Sequence, residues 1–422
     1  MKRLQLLVAL WALFALGASA QAISMAQAQK RAEAFLSKQG RQLQLTIAET
    51  PAMRARTRGE EAKDYYFAFN AGKNEGFVIA STDLRAPAVL GYSKEGCFNI
   101  DDLPEVVAHW LEGYAEQIKY IQENNLCSSG TRAAFGIHPA VPDLMKSKWS
   151  QRSPYYNDCP MWNGRFCLAG CVSISMAQVM YYHKFPKGNT TSIPSYTTTT
   201  HSIEMPSLKA TTFDWDQMKD RYSSGDSEAS KAAVAHLVAY CSTAIEADFD
   251  PSNTNAYYSK QRKSLTEYFG YGEWVQFLYR PNFNDTEWED IIYKEIANKR
   301  PVLYSGQTAD KAGMGGHSFV LHGYDGQGYY AVNWGWGGSY DGYYLLDAME
   351  PDYKYNYRQY ATIGISPEDV SKPSNILRTT QENGKQKMYD LSGRQIDGKA
   401  ENRLVIVKEA DGTTKKVYHK TK

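Results

Sequence analysis

An amphipathic pattern runs through ISMAQAQKRAEAFLSKQG, residues 23–40, and predicts a helix ended by Gly40. After the basic, polar run RARTRGEEAKD the pattern changes. YYFAFN, GFVIAST and PAVLGYS read as three strands, and Lys73-Asn74-Glu75-Gly76 turns the first into the second as a hairpin. Helical spacing returns in LPEVVAHWLEGYAEQIKYIQ, where Val107, Trp110, Leu111, Tyr114, Ile118 and Ile121 fall three and four apart. NNLCSSGTRAAFGIHP then shows no period. It reads as an exposed linker, the kind of segment where proteolysis occurs, with Arg132 a candidate cut site.

The largest patterned region runs from about Val141 to Ser366. Helices are expected at 172–183, 228–245 and 256–269. Short strands follow in PVLYSG, HSFVLHGYD, YYAVNW and GYYLLDA, separated by glycine-rich turns. Helices first and strands afterwards predict an α+β domain, not alternating βα units. PEDVSKP reads as a second linker, and the tail beyond it alternates in strand fashion around glycine turns. The expected organisation is a leader at 1–20, an α+β unit at 21–132, the main domain at 133–366, and a linker with a short β-rich tail at 367–422.

The leader decides the compartment. MKRLQLLVALWALFALGASA has a basic start at Lys2 and Arg3, an apolar stretch from Leu4 to Leu16, and Ala18-Ser19-Ala20 at its end. That is the pattern of a cleaved secretory signal, and about 13 apolar residues are too few to span a bilayer. No other segment approaches transmembrane length. The mature protein is therefore expected to be soluble outside the cytoplasm.

Composition narrows the classes further. Hydrophobic residues make up 43% of the 422, enough for a sizeable core. A net charge of +1 gives no electrostatic case for nucleic acid. The 31 tyrosines and 9 tryptophans favour binding of chains or rings in open clefts. Six cysteines are too sparse for a disulfide scaffold, and no matched second pair follows Cys167 and Cys171 as a zinc site would need. A few functional thiols, with room for one bridge, is the better reading.

Cys171 opens the helical run VSISMAQVMYYHKF, with Val172, Ser175, Met176, Val179 and Tyr182 or His183 on one face. A thiol at a helix N-terminus sits near unpaired N–H groups, which favour its thiolate. Gly170 lets the backbone approach closely and frees an N–H for a substrate carbonyl. Cys167 lies one turn earlier without this placement. From this stretch alone, nucleophile and small core residue are equally good readings of Cys171.

A nucleophilic thiol needs a base. His109 and His236 lie within amphipathic helices, while His138, His201 and His419 fall in loops or the tail. His183 is about three turns, ~18 Å, from Cys171 along the helix. His317 stands at a strand start after a glycine-rich loop, and His322 faces the other way by strand alternation. His317 lies 146 residues beyond Cys171, within the roughly 130–150 that papain-like enzymes place between Cys and His. Asn333, at the end of an expected antiparallel strand, is placed to orient the imidazole through its side chain or backbone. Trp334 and Trp336 can shield the pair. Gln151, upstream in KSKWSQRSPYYNDCP, offers an amide N–H₂ as an oxyanion donor.

Together, W-S-Q-x-x-P-Y (149–155), A-G-C-V-S-I-S-M-A-Q-V-M-Y-Y-H-K-F-P (169–186), G-G-H-S-F-V-L-H-G-Y-D (315–325) and V-N-W-G-W-G-G-x-x-D-G (332–342) resemble the streptopain family of secreted papain-like cysteine proteases. The resemblance covers roughly 141–366. It implies a papain-like catalytic domain, with 21–132 as an inhibitory prodomain removed by cleavage in the linker. It also implies Cys171 as nucleophile, His317 as general base and acid, and Gln151 as oxyanion donor. The segment at Asn333-Trp334 would orient the histidine, with the Trp backbone weighing more than the Asn side chain.

Two features depart from that pattern: Cys159 and Cys167 in the loop before the nucleophile, bridged or free, and the extension from about 374, which resembles bacterial sorting tails. The implied activity is a bacterial secreted or surface endopeptidase that acts on protein and peptide substrates, held by its own prodomain. It needs no cofactor, metal, nucleic acid or membrane span. HExxH and GxSxG are both absent. A papain-fold amidase or cell-wall hydrolase and a non-catalytic binding protein on the same fold are the alternatives.

Overall fold

Helix α1 (Met25–Lys38) begins where Ser24 and Gln27 close a capping box, each side chain bonding the other's backbone N–H. It buries Ala28, Ala32 and Leu36, one face at four-residue spacing. In the computed structural model the described residues are 21–124, 138–306, 316–347 and 359–368, with the backbone of four strands in the tail. After α1 come β1 (Leu45–Ala48) and α2 (Pro51–Thr57). α2 starts on the Thr50 side-chain cap with Pro51 at its first turn, so the basic stretch begins as a helix. The three expected strands are β2 (Tyr66–Ala71), β3 (Phe77–Ser81) and β4 (Val89–Ser93), and the second long helix is α3 (Glu105–Glu123).

In the larger domain a small hairpin, β5 (Met161–Trp162) and β6 (Arg165–Phe166), precedes α4 (Cys171–His183). β7 (Tyr196–Thr197) and β8 (Glu204–Met205) pair next, followed by α5 (Glu228–Ala244) and α6 (Ser259–Glu267). Then come β9 (Gln276–Tyr279), α7 (Asp285–Ala297), β10 (Val302–Gly306), β11 (His317–Tyr324), β12 (Tyr330–Asn333), β13 (Gly342–Tyr344) and β14 (Tyr360–Ile363). The pattern of α4 predicts one apolar face. The structure instead buries every residue from Val172 to Met180. α4 is the central helix, packed between α5 and the sheet, with Trp149, Leu237, Val238 and Cys241 in the surrounding core.

The strands form one antiparallel sheet in the order β1-β2-β3-β4-β13-β12-β11-β10-β14-β9. The N-terminal unit and the larger domain thus share a single sheet, joined where β4 pairs with β13 (Tyr92↔Tyr343, Gly91↔Tyr344). Gly91 is required there: a Cβ would stand 2.4 Å from the Tyr344 ring. Leu345 N–H donates to Leu90 O, Tyr92 Oη to Asp325 Oδ2 at 2.9 Å, and Tyr329 Oη to Val89 O at 2.8 Å. These bonds specify the register of the seam, because a one-residue slip would turn every side chain over.

By packing, the chain divides at Asp369. The second unit is a four-stranded antiparallel sheet of β15 (Lys387–Tyr389), β16 (Gln395–Ile396), β17 (Arg403–Lys408) and β18 (Thr414–His419), in the order β16-β15-β17-β18. The β-rich tail expected from the alternating pattern is therefore present as strands. The leader, the linker around Arg132, the glycine-rich loop 307–315 and most of the second linker lie outside the described residues. Among the described residues no helix is long and apolar enough to cross a membrane.

Candidate active site

α4 begins at Cys171 because Gly170 has φ 83°. A Cβ there would stand 3.0 Å from Thr254 Cγ2 and 3.3 Å from Thr254 O, so a side chain is excluded. The first helical bond runs from Ile174 N to Gly170 O, which leaves the preceding N–H groups without helical partners. The backbone N–H groups of Cys171 and Val172, with that of Ser318 from β11, pull the pKa of the Cys171 thiol down. Ser318 directly follows His317, so this pull ties the first turn of α4 to the start of β11.

Two opposing effects set the thiol. Burial pushes it up, and the three N–H groups pull it back, leaving it at about 11. Burial likewise holds His317 down at about 4, against the pull of its bond to Trp334 and with a further push from the charge of His109. Both groups are neutral near pH 7 in this state. His317 Nε2 lies 3.3 Å from Trp334 O. A carbonyl only accepts, so Nε2 carries the hydrogen and Nδ1 is the basic nitrogen.

The carbonyl of Trp334 is itself held. Trp334 N–H donates to Asp341 Oδ1 at 2.9 Å and its indole N–H to Tyr340 O at 3.0 Å. Asp341 also pairs with Lys148 at 2.7 Å. The side chain of Asn333 does not face the imidazole. It forms a reciprocal amide pair with Gln178 of α4, both bonds 3.1 Å, donates to Ser147 O at 2.6 Å and accepts from Gly335 N–H at 3.0 Å. Asn333 therefore acts on the backbone that follows it, and Trp334 O is the group on the histidine. Gln151 is buried, and its backbone carbonyl accepts from Ala169 N–H at 3.1 Å, two residues before Cys171.

Three further histidines are occupied elsewhere. His201 pairs with Asp250 at 2.6 Å and stacks on Trp162, His236 meets Thr211, and His138 stacks on Tyr293. His322 sits in a bulge of β11 between Leu321 and Gly323 and is buried. Cys159 and Cys167 are free thiols in the core, as is Cys241.

Sequence reasoning did not single out Gln178, Ser175, Ser318 or Gln261, though polar residues at 175 and 178 within an otherwise apolar helix were a visible signal. α3 lies over the edge of this site. Trp110 meets Phe319 edge-on at 5.4 Å and Trp334 at 5.8 Å, and His109 is near enough for its charge to act on His317.

Comparison with known proteins accords with this geometry. The model of the peptidase C10 family matches residues 149–344, and a model described as Spi protease inhibitor matches residues 20–118. Streptopain of Streptococcus pyogenes is 32% identical over 339 residues, which span 73% of this chain and 82% of that protein. The chain belongs to the peptidase C10 family. It is a cysteine-type endopeptidase with a propeptide-like domain at its N-terminus. The peptidase is also similar to the thiol protease/hemagglutinin PrtT of Porphyromonas gingivalis, at 28% identity over 88% of this chain and 45% of that one. Among solved structures, a prointerpain A fragment of Prevotella intermedia covers 77% of the peptidase at a TM-score of 0.64 and 27% identity, with all of that fragment matched.

Proposed function

We propose that this peptidase is made as a zymogen and secreted, with residues 21–132 as an inhibitory prodomain, 133–366 as the catalytic domain and 367–422 as a linker and tail. Cys171 is the nucleophile and His317 its base and acid. The Cys171 thiolate attacks the carbonyl carbon of a peptide bond in a protein or peptide substrate. The oxyanion is received by the Cys171 N–H at the head of α4 and by the Gln151 amide. The imidazolium then gives its proton to the departing amine, leaving an acyl-enzyme. Water activated by Nδ1 of His317 hydrolyses the thioester and restores the thiol. Trp334 O and, behind it, Asn333 keep the imidazole in the required tautomer.

The observation that carries the zymogen reading is the placement of α3. Trp110 covers Trp334, whose carbonyl holds the histidine, and the half-buried Cys171 and His317 are held neutral. A prodomain that covers and desolvates the pair suppresses the thiolate–imidazolium form that attack requires.

Intact mass over time, wild type beside Cys171→Ala, tests the reading. The wild type is expected to lose its N-terminal segment as far as the linker near Arg132, while the alanine variant stays whole. Equal cutting of both would mean that another protease does the work. If both stay whole and the wild type cleaves no peptide, the reading fails.

A further inference from the structure

Behind the nucleophile lies a closed polar cluster that includes neither the sulfur nor the imidazole. Gln261, on α6, has no exposed surface. Its Nε2 lies 3.2 Å from each of Val172 O, Ser175 Oγ and Ser318 Oγ. Ser175 Oγ donates to Val172 O at 3.1 Å and lies 3.0 Å from Ser318 Oγ. Val172 O only accepts, so the N–H₂ end of the amide must face the cluster. The Oε1 end meets no partner among the described residues. Three elements converge here: the first turn of α4, the start of β11, and α6.

Ser318 is where the cluster touches the chemistry. Its Oγ is held by Gln261 and Ser175, while its backbone N–H is one of the amides that lower the pKa of the Cys171 thiol. We propose that Gln261, acting with Ser175 and Ser318, is a positioning clamp that locks the helix of the nucleophile to the strand of the histidine and holds the Ser318 N–H on the sulfur. The inference rests on the assignment of Cys171 and His317 above. A hydrogen bond to the charged form of a group stabilises that form. Loosening the clamp therefore raises the pH at which Cys171 ionises without altering any group that meets substrate. The titratable groups whose charges act on this pair are Tyr258, just before α6, coupled to Cys171, and His109 of α3, coupled to His317. None of them changes in the variants below.

The test uses the full-length chain with Gln261→Met, which keeps the length and apolar bulk of the side chain and removes its donors. Alkylation of Cys171 by iodoacetamide is followed at fixed pH values from about 6 to 10 through the mass of the Cys171 peptide, where thiolate fraction sets the rate, so a slower rate at a given pH reads as a raised midpoint. The rate is expected to fall about tenfold at a given pH, equivalent to a midpoint raised by about one pH unit. Self-processing should slow to match.

Ser175→Ala with Ser318→Ala should move the midpoint in the same direction. Adding Gln261→Met to that pair should move it no further, because groups acting as one unit are not additive. An unchanged midpoint in a folded Gln261→Met chain overturns the clamp, even if its melting temperature falls. Fully additive shifts overturn it too. If Gln261→Met does not fold, Ser318→Ala alone decides, and an unchanged midpoint there is the refutation. Failure of the clamp leaves wild-type processing dependent on Cys171, whereas failure of the functional reading would abolish that dependence.

Discussion

Truncating Trp110 to alanine tests whether α3 keeps the active site covered. The indole meets Phe319 at 5.4 Å and Trp334 at 5.8 Å, both edge-on, and gives its N–H to Tyr114 Oη at 2.9 Å. Each aromatic pair is worth about 0.5–1.5 kcal/mol beyond its buried area. Two pairs lost across the interface therefore weaken the cover by about 2 kcal/mol. The rest of the docking survives, because Tyr114 still donates to Leu345 O and β4 still pairs with β13. At a factor of ten per 1.4 kcal/mol, the uncovered fraction rises about thirtyfold. The assay is the initial rate of self-processing, read by intact mass, beside a thermal melt that shows the variant folded. A rate about thirtyfold above wild type is expected. A folded variant that processes at the wild-type rate would refute the idea that this helix holds the cover.

Gln151→Ala is expected to lower kcat on a small peptide by about 10²–10³ with KM little changed, the signature of a lost oxyanion donor. A change in KM alone would remove Gln151 from that role. Acidification should loosen the covered state. Burial holds His317 at about 4 against an ordinary 6.5, so the folded, covered form binds fewer protons than the unfolded chain. That contribution is fully present above pH 6.5 and is lost as pH falls through 4, up to about 3 kcal/mol. Because His183 shifts the same way, the comparison is wild type against His317→Gln in urea melts at pH 7 and pH 4. A wild type that loses no more than the variant would contradict the sign.

The parts of the site that could be read from the sequence are those whose chemistry is local. Cys171 announces itself by a glycine before it and an apolar helix after it. His317 announces itself by strand onset and separation from the cysteine. The dense aromatic and glycine spacing at 332–342 marks the turn that holds Trp334. The elements not singled out are weaker in pattern. β9 is half-buried along its length, β1 alternates poorly at four residues, and β14 is equally short.

α7 was readable. Asn284 and Glu287 form a capping box, and Trp288, Ile291, Ile292 and Ile296 line one face, yet the charged residues between them obscure the stripe. The sheet shared by the two halves could not be read at all. It joins Tyr92 to Tyr343 across some 250 residues, and nothing in either strand names its partner. The reciprocal pair of Gln178 with Asn333 was hidden for the same reason, since each residue reads as an isolated polar position until the fold brings them together.

The two ways in which the N-terminal unit meets the catalytic half differ in what they do. The β4–β13 seam is backbone pairing with fixed register, backed by the Tyr92–Asp325 and Tyr329–Val89 bonds, and it lies two strands from β11, which carries His317. It determines where the unit docks. α3 reaches the chemistry through Trp110 on Trp334 and His109 beside His317. Both act on the histidine's surroundings, while the cysteine stays seated on Gly170 and the α4 N–H groups. On the proposed reading, latency of this form keeps Cys171 assembled and withholds the charge separation. Loss of α3 from Trp334 would hydrate the imidazole, raise its basicity and allow the thiolate to form. Changes in the seam should therefore alter where and how firmly the unit docks, whereas changes at Trp110 should alter how much of the time the histidine stays covered.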